Sequence, residues 1–322
     1  MTARNTPWDN ADWAESPWEV YVSPRLPHRI PNDFAGEGAP LAEDDADPSF
    51  VFAYRALDDV EDGQRFSTYW DVEPLSRGPR PVPDWLVTDR AAVDTELGVL
   101  KTGKEADVFL LERAVPDTDE SVVLAAKRYR TAEHRQFHRS SGYTEGRKVR
   151  DSRDARAMAK GTAHGREVAA GQWAWAEWES LKRCHEAGVP VPYPVQIDGI
   201  EILMELVTGP DGHAAPRLAQ VRPESELLRS YFDQIRGAMA ALAALGYAHG
   251  DLSPYNTLAA GERLVVIDLP QVIDIVANPM GTDFLMRDCH NMCTWFVARG
   301  LGVDEQELFA ELVAEAFGAG FR

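Results

Sequence analysis

Between about residue 98 and residue 318, short apolar runs bounded by turn residues come first and helix-spaced apolar residues come after. That order constrains the chain more than any other feature. "GVLKTGKEADVFLLE" (98–112) and "SVVLAAKRYR" (121–130) read as strands joined by turns. "EVAAGQWAWAEWESLKRCHEAG" (167–188) reads as a helix closed by Gly188, and "VPYPVQIDGIEILMELV" (191–207) as two short strands around an Asp198-Gly199 turn. A long helix is expected over 223–246, with Pro223 in its first turn. Leu228, Tyr231, Phe232, Ile235, Met239 and Leu242 fall at helical spacing along it. A strand, "RLVVIDL" (263–269), and two helices, about 282–299 and 304–318, complete the chain. Strands followed by helices give an α+β class with two lobes, and the space between lobes is the natural place for a ligand.

Residues 1–83 differ in character. They are rich in Pro, Trp, Asp and Glu without a clear period, and read as a largely irregular, acidic extension with scattered tryptophans. Order is expected from "DWLVTDRAAVDTELG" (84–98), read as a short helix ending at Gly98. The remainder, 84–322, divides into a small β-rich lobe of about 95–207 and a helical lobe of about 208–322. Between 131 and 166, Lys and Arg outnumber Asp and Glu and large apolar residues are few, which reads as a mobile basic flap.

Bulk properties exclude several classes. The 44% apolar content can build a core, yet no apolar run reaches membrane-spanning length and the N-terminus has no signal-like apolar segment. A cytoplasmic location is expected. A net charge of −19 argues against wholesale nucleic-acid binding. The three cysteines, Cys184, Cys289 and Cys293, make no disulfide framework and read as buried thiols rather than a metal site.

The chemistry lies in a set of residues arranged in one order. Transfer of a phosphoryl group from ATP asks a protein to hold the phosphates, bind Mg²⁺ through oxygens and orient an acceptor. Thr102, Gly103 and Lys104 occupy a turn where a glycine lets backbone approach phosphate. Lys127 ends an apolar strand, and a lysine drawn in from that position needs a carboxylate. Glu179 is the expected partner. Glu177 competes, but two positions along a helix it points to another face. Asp251 and Asn256, in "HGDLSPYN" (249–256), suit an acceptor-facing base and a Mg²⁺ ligand, and Asp268 follows four apolar residues where an acid is costly unless it binds something. Any one of these alone more often caps a turn or snorkels from a strand end.

The order lysine, helix glutamate, H-x-D-x4-N, later aspartate resembles the protein-kinase set. More closely it resembles the type-one branch of the RIO family of atypical serine/threonine kinases. The likeness rests on "KTGKEADV" (101–108), "AAK" (125–127), "WAEWESLKRCHEAGVPVPYP" (175–194), "LMELV" (203–207), "HGDLSPYN", "IDLPQ" (267–271) and "FLMRDCHNM" (284–292). It implies a protein-kinase-like fold with a reduced helical lobe. It implies that Thr102, Gly103 and Lys104 cradle phosphate, and that Lys127 and Glu179 form the ion pair. Glu205 and Val207 would form a hinge whose backbone meets adenine. Asp251 would be catalytic, while Asn256 and Asp268 would bind Mg²⁺. The basic stretch would correspond to the family's flexible loop near the phosphates.

Three departures bear on activity. Lys101 stands where the family usually has Ser, and Gly250 where many kinases have Arg. No A-P-E motif follows Asp268, so the helical region that holds a peptide in ordinary protein kinases is not expected. ATP hydrolysis with autophosphorylation, through an aspartyl-phosphate at Asp268 as the family suggests, fits these parts. Two other readings share the H-x-D-x4-N loop or the cleft. One is a small-molecule phosphotransferase similar to aminoglycoside or choline kinases; "GKEADV" and "DLPQ" point away from it. The other is a nucleotide-gated binding module whose partner would be the small ribosomal subunit, as in the archaeal and eukaryotic family.

Overall fold

The computed structural model describes residues 63–130, 163–269 and 272–318, with the backbone alone at 163–169. All of them fall within one unit, Val60–Arg322. The N-terminal 62 residues, nearly all of the basic stretch, and Pro270 and Gln271 of "IDLPQ" lie outside the described residues.

Alternating apolar residues build a six-stranded antiparallel sheet in the order β1-β2-β3-β4-β6-β5. Its strands are β1 (Gln64–Phe66), β2 (Val93–Thr102), β3 (Ala106–Ala114), β4 (Ser121–Tyr129), β5 (Pro194–Asp198) and β6 (Glu201–Glu205). The short helix expected over 84–98 is not formed: its second half is strand β2. Pairing with β3 overrides local propensity there, and buried Asp94 meets buried Arg113 at 2.7 and 2.9 Å. Gly98 ends no helix. It sits at a register shift in β2 with φ 135°, a conformation that suits a residue without Cβ.

The two faces of the sheet are covered differently. Ile197, Ile202, Tyr129 and Ala106 pack on helix α1 (Ala163–Glu186) through Ala174, Trp178 and Leu181. The opposite face, with Leu111, Leu124, Ala126, Val195 and Leu203, is covered by Tyr69 and Leu86. Residues 63–83, expected to belong to the irregular extension, are therefore part of this lobe. They form a strap: Gly78 N–H donates to Val195 O at 2.9 Å, and the Tyr193 hydroxyl to Pro79 O at 2.7 Å. The Leu75 carbonyl accepts from Trp178 Nε1 at 3.2 Å and Lys182 Nζ at 2.8 Å.

After β6 the chain folds back on itself, with Ala215 N–H bonded to Val207 O at 2.9 Å, before entering the helical lobe. That lobe packs α2 (Ser225–Ala244), α3 (Gly281–Val297) and α4 (Glu305–Gly318) around Leu228, Tyr231, Ile235, Met239, Leu242, Phe296 and Leu312. Pro223 precedes the N-cap Glu224 rather than lying in the first turn. Two ribbons, β7 (Tyr247–Ala248) with β10 (Ile273–Asp274) and β8 (Thr257–Ala260) with β9 (Arg263–Val266), carry the polar loops to the cleft. The three cysteines are buried and free.

Candidate active site

Lys127 is the seventh residue of β4, on the face that meets α1. Its Nζ lies 2.6 Å from Glu177 Oε1 and 3.0 Å from Asp268 Oδ1. The partner is Glu177, which corrects the expectation of Glu179. Helix geometry explains it: Glu177 is three residues after Ala174 and four before Leu181, both buried against the sheet, and is itself only 4% exposed. Glu179 faces away and pairs with Lys182 at 3.0 Å. The Tyr129 hydroxyl donates to the second Glu177 oxygen, fixing the carboxylate. Burial pulls the Lys127 pKa down, but Glu177 and Asp268 outweigh it and the net shift is upward. Burial likewise pushes Asp268 up, while Lys127 at contact distance pulls harder and holds it at about 2. Lys127 thus stays an ammonium and Asp268 a carboxylate at neutral pH.

Asp268 adopts φ 67°, left-handed for a residue with a Cβ, at a cost of about 1–2 kcal/mol. Its neighbour Ile267 is held from both sides: its N–H donates to Asn256 O at 3.0 Å, and its carbonyl lies 3.1 Å from His249 Nε2. Asp251 N–H meets His249 Nδ1 at 3.3 Å, so the network assigns the proton of His249 to Nε2. Asn256 Nδ2 donates to Asp251 O at 2.9 Å and to Asp251 Oδ2 at 3.3 Å. Its amide oxygen is thereby turned outward, away from the atoms its nitrogen serves. Lys127, Asp251, Asn256 and Asp268 are brought together by this chain of contacts.

One residue that sequence reasoning passed over secures the loop. Asp288, on α3 and buried, accepts Gly250 N–H and Leu252 N–H, each at 2.8 Å. Asn291 Nδ2 donates to Leu252 O at 3.0 Å, and Arg287 to Gly250 O. Burial raises the Asp288 carboxyl to about 6, against the opposing pull of the two amides. "FLMRDCHNM" was legible as a matching string, but only the packing of α3 beneath the loop reveals what its Asp does.

The remaining expected residues are placed as follows. Thr102, Gly103 and Lys104 form the β2–β3 turn, where a Cβ on Gly103 would meet Ala106 O at 2.7 Å. The Gly103 N–H is already used, by Ala106 O at 3.1 Å and Asp107 Oδ1 at 3.3 Å, and Thr102, the last residue of β2, pairs with Asp107. The Glu205 side chain is structural: its Oε2 accepts Tyr193 N–H at 3.0 Å and its Oε1 lies 3.3 Å from Arg263. The Val207 carbonyl accepts Ala215 N–H at 2.9 Å.

A family profile described as the RIO domain matches residues 114–308, more than half of the chain. The chain belongs to the RIO kinase family. The RIO-type serine/threonine-protein kinase Rio1 of Haloferax volcanii is 34% identical over 217 residues, which cover 67% of this chain and 68% of that protein. Serine/threonine-protein kinase RIO1 of Saccharomyces cerevisiae is 29% identical over 147 residues, 44% of this chain and only 30% of the yeast protein. Crystal structures of Rio2 kinase from Chaetomium thermophilum, one titled as an ADP/Mg²⁺-phosphoaspartate complex, align with TM-scores of 0.44 at 19% and 20% identity. They cover 70% of this chain and 67% and 69% of theirs. As a RIO kinase the chain has the two-lobed protein-kinase-like fold, and its family sets aside the small-molecule phosphotransferase reading. Among the described residues, no helix is long and apolar enough to cross a membrane.

Proposed function

We propose that this chain is a Mg²⁺-dependent, ATP-using serine/threonine kinase of RIO type that works as an ATPase with autophosphorylation. The observation that carries the reading is the bridge from Lys127 to both Glu177 and Asp268, beside the Asn256–Asp251 contact. Lys127 would bind the inner phosphates, held in place by Glu177. The turn of Thr102, Gly103 and Lys104 would lie over the phosphates, and the Val207 N–H would meet adenine. Asp251 would accept the proton of the attacking hydroxyl or water as ADP leaves.

The donor set suits Mg²⁺. Asp268, anionic and 41% exposed, keeps one oxygen beyond its contact with Lys127, and Asn256 turns an amide oxygen outward. Two protein oxygens are what Mg²⁺ usually takes when phosphates and water complete its shell. Bound there, the ion would neutralise charge gathering on the phosphates.

The acceptor is a protein hydroxyl or the chain itself. A cytoplasmic location is supported by the three free, buried cysteines. The small-ribosomal-subunit association that the resemblance implies is checked by co-sedimentation with and without ATP. Incubating the purified chain with labelled ATP and Mg²⁺ tests the main reading. Released phosphate plus labelled protein supports it, and the label's acid or base stability separates aspartyl-phosphate from phosphoserine. Absence of both products refutes it.

A further inference from the structure

Lys127 is the cation in contact with Asp268, at 3.0 Å, and it is not the one cation that acts on it. Beyond Lys127, the charges of Lys101 and Arg217 both reach it, and Lys101 and Arg217 reach each other. They arrive from opposite lobes. In the sheet, Lys101 lies opposite Val108, Val108 opposite Lys127, and Lys127 opposite Ile202. Residues paired in this way point to one face, and Ile202 shows that it is the face toward α1 and the cleft. Lys101 reaches that face only because of a register shift between Val99 and Lys101. Val99 pairs with Phe109, which packs on the opposite face, so unbroken alternation would have aimed Lys101 away from the cleft. Bulges that re-aim one side chain are a recurrent feature beside active sites.

Arg217 comes from below, at the residue before the short 3-10 turn Leu218–Gln220. Its guanidinium donates to Tyr255 O, inside the loop that carries Asp251 and Asn256, and its backbone bridges to Leu258. Among the described residues, neither Lys101 nor Arg217 has a carboxylate at salt-bridge distance, whereas Lys127 is neutralised by two. Loss of solvent lowers the pKa of both. At Lys101 the Arg217 charge adds to it, while at Arg217 the Asp268 charge opposes it. Among the described residues their positive charge is therefore not compensated by a carboxylate in contact.

We propose that Lys101 and Arg217 form a second cationic clamp, one residue from each lobe, that grips the outermost phosphate of a bound nucleoside triphosphate. The clamp rests on the ATP-using reading given above and adds to it a basis for preferring triphosphate over diphosphate. Lys127 sits deeper, so it would serve the inner phosphates that both nucleotides share. Lys101 is exposed at the end of β2 and Arg217 is tied to the loop of Asp251, and the additional phosphate would sit between them.

Binding of a non-hydrolysable ATP analogue and of ADP, both with Mg²⁺, to the full chain tests it by calorimetry. Lys101→Met and Arg217→Met are each expected to lose about tenfold in analogue affinity and less than about twofold in ADP affinity. Lys101→Arg and Arg217→Lys are expected to keep the preference, and equal melting temperatures exclude a folding defect. Unchanged binding of both nucleotides in the Met variants overturns the clamp and leaves the ATP-using reading standing. Equal losses for both overturn the assignment to the outermost phosphate. A wild-type chain that binds neither nucleotide overturns both proposals.

Discussion

Lys127 Nζ and Asp268 Oδ1 lie 3.0 Å apart although 141 positions separate them in the chain. The contact joins the sheet lobe to the loop after β9. It draws that lobe's lysine onto the carboxylate proposed for Mg²⁺, while Glu177, at 2.6 Å, holds the lysine from within its own lobe.

That anchoring separates two glutamates two positions apart. Glu177→Ala strips Lys127 and Tyr129 of a buried partner, so a loss of about 3 kcal/mol in stability is expected. A misplaced lysine should also lower ATP turnover by about a hundredfold. Glu179→Ala, which loses only the pair with Lys182, should stay within about 1 kcal/mol and near wild-type turnover. Denaturant melts and kcat/KM on both variants check the pair.

Asp288 gives a pH dependence with opposite signs for stability and activity. Its folded pKa of about 6 lies above the usual 3.8, so the folded state takes the proton first. Its stabilising contribution is therefore full below about pH 4 and is lost as pH rises through about 6. Activity should run the other way. Protonation weakens an acceptor of the Gly250 and Leu252 amides, so turnover should fall as pH drops through about 6. In Asp288→Asn, one amide would face an NH₂ group, at a cost of about 2 kcal/mol. The pH-dependent difference in melting between wild type and variant, together with amide exchange at Gly250 and Leu252, checks both signs.

The strap over the sheet predicts a site far from the chemistry that tolerates no side chain. A Cβ on Gly78 would lie 1.9 Å from Pro194 O, so the backbone itself must move. Gly78→Ala should cost about 2 kcal/mol or more and loosen the Leu75 contacts to Trp178 and Lys182. A melt, with Trp fluorescence as the local probe, measures it.

Much of this site was legible because its parts are local strings. The H-x-D-x4-N loop, the lysine at a strand end and the acid after "LVVI" each carry their chemistry in a few neighbouring residues. The helices of the second lobe were legible for a similar reason, since Leu228, Ile235 and Leu242 repeat at helical spacing. What stayed hidden depends on packing. Glu177 and Glu179 differ only in which faces the sheet. Asp288 gains its role from the loop above it. The first half of β2, 93–97, reads as the end of a helix while 98–102 reads as strand, because a register shift at Gly98 breaks the alternation between them, and the next shift aims Lys101 into the cleft.

Titrating Mg²⁺ and ATP against the wild type, Asp251→Ala and Asp268→Ala tests the convergence on a metal-bound triphosphate most directly, with binding and turnover read from the same samples. Asp251→Ala should bind ATP nearly as the wild type does and lose about 10²–10⁴ in turnover. Asp268→Ala should lose the Mg²⁺-dependent part of binding. Wild-type binding and turnover in both variants would contradict the account.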